Sequence, residues 1–194
     1  TKLEQQKEIF MHTSDPALSK TTIALHWLVA IFFITILVVG LVMTSNEIRS
    51  LYPIHKSFGV IILPIVLIRI LWRLKEGWPQ PVGTVIAWEH MLARVIHWVL
   101  ILGTLAFPLS GAIMSIAGGR GLDIFGLVIV AMNIVNGEVA PLSAQLASMA
   151  KNIHVTLPPV MIAAIALHVI GALKHHFLGK DATLTRMFGC NRPR

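Results

Sequence analysis

The stretch NIHVTLPPVMIAAIALHVIGALKHHF, residues 152–177, is apolar enough to cross a membrane yet carries His154, His168, His175 and His176. An imidazole in hydrocarbon is costly unless it bonds, relays a proton or ligates. Fourteen residues separate His154 from His168. At about 100° and 1.5 Å per residue the two project from nearly one helix face, roughly 21 Å apart along the axis. Two ligands on one face, one per leaflet, make a scaffold for two sites, each needing an imidazole from another helix at the same depth.

His55 is placed to meet His154 in the outer layer, and His26 to meet His168 in the inner one. Bis-imidazole ligation from facing helices of a bundle suits b-type haem, a flat apolar ring that fits between packed helices. A catalytic zinc would want three protein ligands and a carboxylate or thiolate, and the apolar runs contain almost no Asp or Glu. The expected iron ligands are therefore His26 and His168 for an inner haem, and His55 and His154 for an outer one. His97 shares the inner layer and is a further candidate contact, either as a replacement ligand or as a partner of a haem propionate. Lys56 directly follows His55 and is the best-placed cation for a propionate or small anion. Gly59 and Gly171 fall one turn from His55 and His168, where a wide ring needs clearance. His90, His175 and His176 read as interfacial, and His12 lies in the polar tail. Trp27 and Trp98 read as interface anchors or cofactor contacts, and Arg69 as a side chain that either snorkels to the inner surface or is buried beside the inner haem.

The elements that must position these groups follow from composition. Of the residues, 55% are hydrophobic and only 13% charged, too few polar groups to cover a soluble core. The fold class is an all-α integral membrane four-helix bundle with haem sites between helices, its spans at about 21–44, 55–74, 88–117 and 152–178. Residues 1–20 form a polar N-terminal segment and 179–194 a polar tail. The connection 118–151 reads as an external cap with an interfacial or re-entrant piece at GLVIVAM, then a helical lead into the fourth span. The first apolar run begins near residue 22 and lacks a small-residue cleavage site, so it is expected to remain as an anchor. Pro158 and Pro159 are expected to kink the fourth span.

The formal net charge of +7 lies between apolar runs rather than on a soluble aromatic-studded face, which argues against nucleic acid. Twelve of the sixteen Lys and Arg residues fall at the two termini and the second connection, and four, Arg49, Lys56, Arg120 and Lys151, on the other side. This bias puts both termini of a multi-pass membrane protein in the cytoplasm. The single cysteine, Cys190, supports neither an intramolecular disulfide nor a thiolate cluster.

LHW at 25–27, IHKSFG at 54–59, LIRILWRLK at 67–75, NIH at 152–154 and ALHVIGALKHHFLGKDATLTRM at 166–187 resemble the bacterial cytochrome b561 family. The resemblance covers nearly all of residues 20–188. It implies two haem b groups, one per leaflet, held by histidines matching His26, His55, His154 and His168. It also implies electron transfer between a donor on one side and ubiquinone or another quinone in the membrane; one relative is a superoxide oxidase. The sequence departs from that relative after His154, where Val155 stands in place of an acidic residue, and in its more apolar outer loop.

The function expected is thus transmembrane electron transfer through two haems, from a small periplasmic one-electron donor such as superoxide to quinone. One alternative is a haem b subunit that conducts electrons for a periplasmic dehydrogenase or hydrogenase partner docked on the apolar loop. The other is a non-redox transporter or metal permease, which the lack of inverted repeats disfavours.

Overall fold

A computed structural model describes residues 18–78 and 87–190; His12 and most of the polar N-terminal segment lie outside them. Four long helices dominate: α1 (Lys20–Ser45), α2 (Leu51–Glu76), α3 (Ala87–Ala117) and α4 (Ala144–Phe177). Their 26, 26, 31 and 34 residues give lengths of about 39–51 Å, enough to cross a hydrocarbon core of about 30 Å. α1 and α4 start at serine caps, Ser19 accepting from the Thr22 amide and Ser143 from the Leu146 amide. α4 is one continuous helix through Pro158 and Pro159, and it begins eight residues before the expected span, which accounts for the helical lead. A short α5 (Thr183–Arg186) follows.

Large apolar side chains face outward, including Ile31, Leu71, Leu102 and Ile170, each 59–64% exposed. Water would penalise such a surface, whereas lipid favours it. The core is correspondingly small: Val29, Phe33, Leu37, Ile62, Val66 and Met161 form one buried cluster. The first three follow the i, i+4, i+8 spacing that aligns one helix face. Gly103 lets α3 come close to α4, since a Cβ there would overlap the Met161 sulfur.

α3 packs along α4, α1 along α2, and α2 along α3. α4 makes no comparably extensive backbone packing with α1 or α2, so seams remain between it and those helices. At the tail end, Trp72 Nε1 donates to Thr22 Oγ1 at 3.1 Å, and Thr22 in turn bonds Glu76. Trp27 Nε1 donates to the Met187 carbonyl at 2.8 Å, fastening the segment after α4 onto α1.

The connection expected to hold an interfacial or re-entrant piece is instead two antiparallel hairpins, β1 (Leu122–Ile124) with β2 (Leu127–Val130), and β3 (Ile134–Val135) with β4 (Glu138–Val139). Both turns take two residues with positive φ, Phe125 and Gly126 at 49° and 90°, and Asn136 and Gly137 at 54° and 85°. That is the geometry whose twist matches paired strands. Asn-Gly is a common solution, but an aromatic residue at positive φ is strained. Phe125 is held there by its amide donating to Ser57 Oγ at 2.9 Å and by its ring meeting Phe58 edge-on at 5.2 Å.

Candidate functional site

Toward the hairpin end of the bundle, His55 of α2 and His154 of α4 face one another across a seam, ring centroids 6.2 Å apart at 83°. His154 is oriented by α3: its Nδ1 lies 3.1 Å from the Phe107 carbonyl, and Ser110 Oγ, which donates to the same carbonyl, is 3.2 Å from that nitrogen. A carbonyl only accepts, so Nδ1 carries the proton and Nε2 is left with a free lone pair. Phe107 also packs edge-on against the imidazole at 5.2 Å. His55 Nδ1 is buried and closes no hydrogen bond; the neighbouring Ile36 carbonyl falls short of the geometry.

Each of these rings rests on a glycine from a third helix. A Cβ at Gly40 would lie 2.9 Å from His55 Cε1, and one at Gly111 would lie 3.1 Å from His154 Cε1. Both separations are shorter than ordinary carbon contact. Sequence spacing pointed instead to Gly59 and Gly171, where a Cβ would meet nothing within 4 Å. Beside His55 lies an apolar cavity of about 90 Å³ lined by Phe32, Ile36, Val39 and Phe58.

At the tail end, His26 of α1 and His168 of α4 face each other at 6.3 Å and 53°. His97 of α3 is closer to His168, at 5.1 Å and 78°. Arg69 takes the buried of its two expected positions, beside His26, rather than snorkelling to the surface; its Nη2 donates to His26 Nδ1 at 3.0 Å, because a guanidinium has donors only, so in this arrangement the His26 proton sits on Nε2 and ligation through Nε2 requires it to move to Nδ1. Between the two histidine pairs lies the apolar cluster of Val29, Phe33, Ile62, Val66 and Met161.

The spacings discriminate between pairs. Two metal–imidazole bonds of about 2 Å, each extended by about 1.1 Å to the ring centre, put centroids about 6.2 Å apart across one ion. The His55–His154 and His26–His168 pairs have that separation, and His97–His168 is too close for it. Among the described residues no group of three or more His, Cys, Asp or Glu is arranged to hold a bare ion.

Other candidates have partners. Lys56 pairs with Asp123 of β1, Nζ to Oδ1 at 2.6 Å, so its charge is engaged by the hairpin. Lys174 pairs with Glu89 at 2.6 Å. His175 Nδ1 meets Asp181 Oδ2 at 2.7 Å, and Asp181 Oδ1 accepts from the Thr183 amide at 2.8 Å, which ties the end of α4 to α5. Trp98 packs against Trp78 with the rings tilted at 55°, and Trp78 also meets His97 edge-on.

The hydrogen bond from Lys56, with a smaller contribution from the Gly126 amide, holds the Asp123 carboxyl below its ordinary value. A depressed folded pKa means the pairing is intact at neutral pH, persists through the usual carboxylate range, and is lost as pH falls through the lowered value. The Phe125 amide resonance should therefore stay fixed from neutral pH down through the usual carboxylate range and shift only below it. Asp123→Asn should show a displaced resonance throughout. A resonance that titrates near neutrality would contradict this.

The sequence profile of the family described as prokaryotic cytochrome b561 matches residues 17–189. The chain is 33% identical over 171 residues to cytochrome b561 homolog 2 of Escherichia coli (strain K12), an alignment covering 86% of this chain and 88% of the relative. It is 29% identical over 180 residues to cytochrome b561 homolog 1 of the same organism, covering 87% and 95%. To the probable superoxide oxidase CybB of Yersinia pestis it is 32% identical over 174 residues, covering 85% and 92%.

Proposed function

Because the chain belongs to the prokaryotic cytochrome b561 family, we propose that it carries two b-type haems, one between His55 and His154 and one between His26 and His168. The family makes it a bacterial membrane protein of transmembrane electron transfer, with b-type haem as its cofactor. The observation that carries the finer reading is the pair of histidine pairs, each at an iron-spanning separation, on one face of α4. The seams beside α4, the buried unbonded His55 Nδ1 and the glycines beneath the outer rings fit a planar ligand entering there.

A bis-imidazole haem supplies a one-electron carrier whose coordination is the same in both oxidation states. The chain's own residues do the rest. His154 is held in the ligating tautomer by the Phe107 carbonyl, a restraint whose counterparts at other metal sites are worth about 10–100-fold in affinity. Val29, Phe33, Ile62, Val66 and Met161 keep the space between the pairs dry and divide the crossing into two shorter hops. Electrons enter on the hairpin side, from a small one-electron donor, and leave to membrane quinone. The charge bias supports a periplasmic hairpin side with both termini in the cytoplasm, and the family supports the bacterial inner membrane as its place. The name of the Yersinia relative makes superoxide the donor to test first.

Proteoliposomes containing ubiquinone and the purified protein should form ubiquinol when superoxide is generated outside. Haem that superoxide leaves oxidised would overturn the donor, and reduced haem without ubiquinol would overturn the acceptor. A subunit role is the second reading, favoured by the exposure of Leu127, Ile129 and Ile134 in the hairpins, 51–67% each. It requires a soluble redox protein to co-purify.

The glycine contacts give a graded prediction. Gly40→Ala should loosen haem at the His55–His154 pair more than Gly111→Ala does, because the added carbon is nearer the ring at 2.9 Å than at 3.1 Å. A loss of roughly tenfold in retention is expected for Gly40→Ala, measured by haem release during gel filtration. Equal retention in both variants would contradict the contact.

A further inference from the structure

One cavity of the protein lies apart from both histidine pairs. It is an open cleft of about 480 Å³ where the end of α3, the β4 connection and the start of α4 meet. Its polar lining is Arg120, Lys151 and Ser148, and its apolar lining includes Met114, Gly118 and Ala147. No carboxylate lines it. Glu138 adjoins the lining Val139 but is not part of the wall. Lys56 and Lys174 have acidic partners, whereas Arg120 and Lys151 form no ion pair among the described residues. Two unpaired cations in one cleft repel each other, and an anion between them removes that cost.

The depth of the cleft indicates which anion. Arg120 follows the end of α3 at Ala117, and Lys151 lies seven residues into α4. α4 is about 20 Å longer than a hydrocarbon core, so its first turns stand in the headgroup region and Lys151 sits where its long apolar run begins. Val155, one turn deeper on the same face, is 55% exposed and offers an acyl chain a surface. We propose that this cleft binds the phosphate of an anionic phospholipid in the leaflet on the hairpin side. Arg120 and Lys151 hold the phosphate, Ser148 donates to it, and the acyl chains descend along the outward face of α4 past Val155.

The haem-loaded full-length protein should be tested by native mass spectrometry after reconstitution with phosphatidylglycerol and phosphatidylcholine in equal amounts. The expected result is one phosphatidylglycerol retained per chain with a preference of about tenfold or more, as two interfacial cations provide. Arg120→Gln combined with Lys151→Gln should abolish the preference. Ser148→Phe, which keeps both charges but fills the cleft, should also lose the lipid. His154→Ala should retain it; loss in that variant would mean that the cations serve the neighbouring cofactor, and would overturn the proposal. Two further results on the unmodified protein would also overturn it: equal retention of both lipids, or displacement of the lipid by millimolar inorganic phosphate. The second would mark a site for free anions.

Discussion

His154→Ala is expected to lower the haem bound per chain by about half and leave the remaining haem spectrally intact, because each site relies on its own pair of imidazoles. The apolar cluster between the sites, with Val29 and Met161 both fully buried, separates the two pairs, so losing one ring need not disturb the other. His55→Ala should give the same product as His154→Ala. His26→Ala and His168→Ala should give the complementary species, which retains the component lost in the first two. If these histidines only packed or bonded within the bundle, each substitution would change stability and none would sort haem into two separable halves. Haem quantified per chain alongside difference spectra of the four variants distinguishes these outcomes.

Arg69→Met is expected to lower the midpoint potential of one haem, that of the His26–His168 pair. With its Nη2 3.0 Å from His26 Nδ1, the guanidinium puts a full positive charge about 7 Å from an iron beyond the imidazole; ligation through Nε2 would move the ring proton to Nδ1, so Arg69 acts on that iron by its charge and not through this hydrogen bond. At an effective dielectric of about 20 this favours the reduced, less positive centre by about 2 kcal/mol, equivalent to about 100 mV. Removing the charge shifts that wave down by up to this amount and leaves the other in place. Arg69→Lys, which preserves charge without the planar fork, should recover most of it. Two waves moving together, or neither, would contradict the contact.

Much of this arrangement was legible from residue types and spacing. Four apolar runs of sufficient length specify four helices, and matching histidine depths across antiparallel helices specifies His55 with His154 and His26 with His168. Other features have no sequence signature. Gly40 and Gly111 are two of fourteen glycines, and helical spacing favours Gly59 and Gly171, because only tertiary packing decides which glycine a ring from another helix touches. The Phe107 carbonyl that orients His154 is a backbone atom, the same at every position. Arg69 fits a snorkelling pattern until the approach of α1 supplies His26 as its acceptor. GLVIVAM is too short to separate a strand from a membrane-dipping helix by apolar content. The Asn136–Gly137 pair downstream was the local signal for hairpins, and its positive φ angles satisfy it.

Two separate b-type haems held in one bundle would show themselves in a potentiometric titration of the purified protein, with haem quantified per chain. Two low-spin haems per chain and two one-electron waves are expected, each assignable by loss of its histidine pair. One haem per chain, or none, would contradict this.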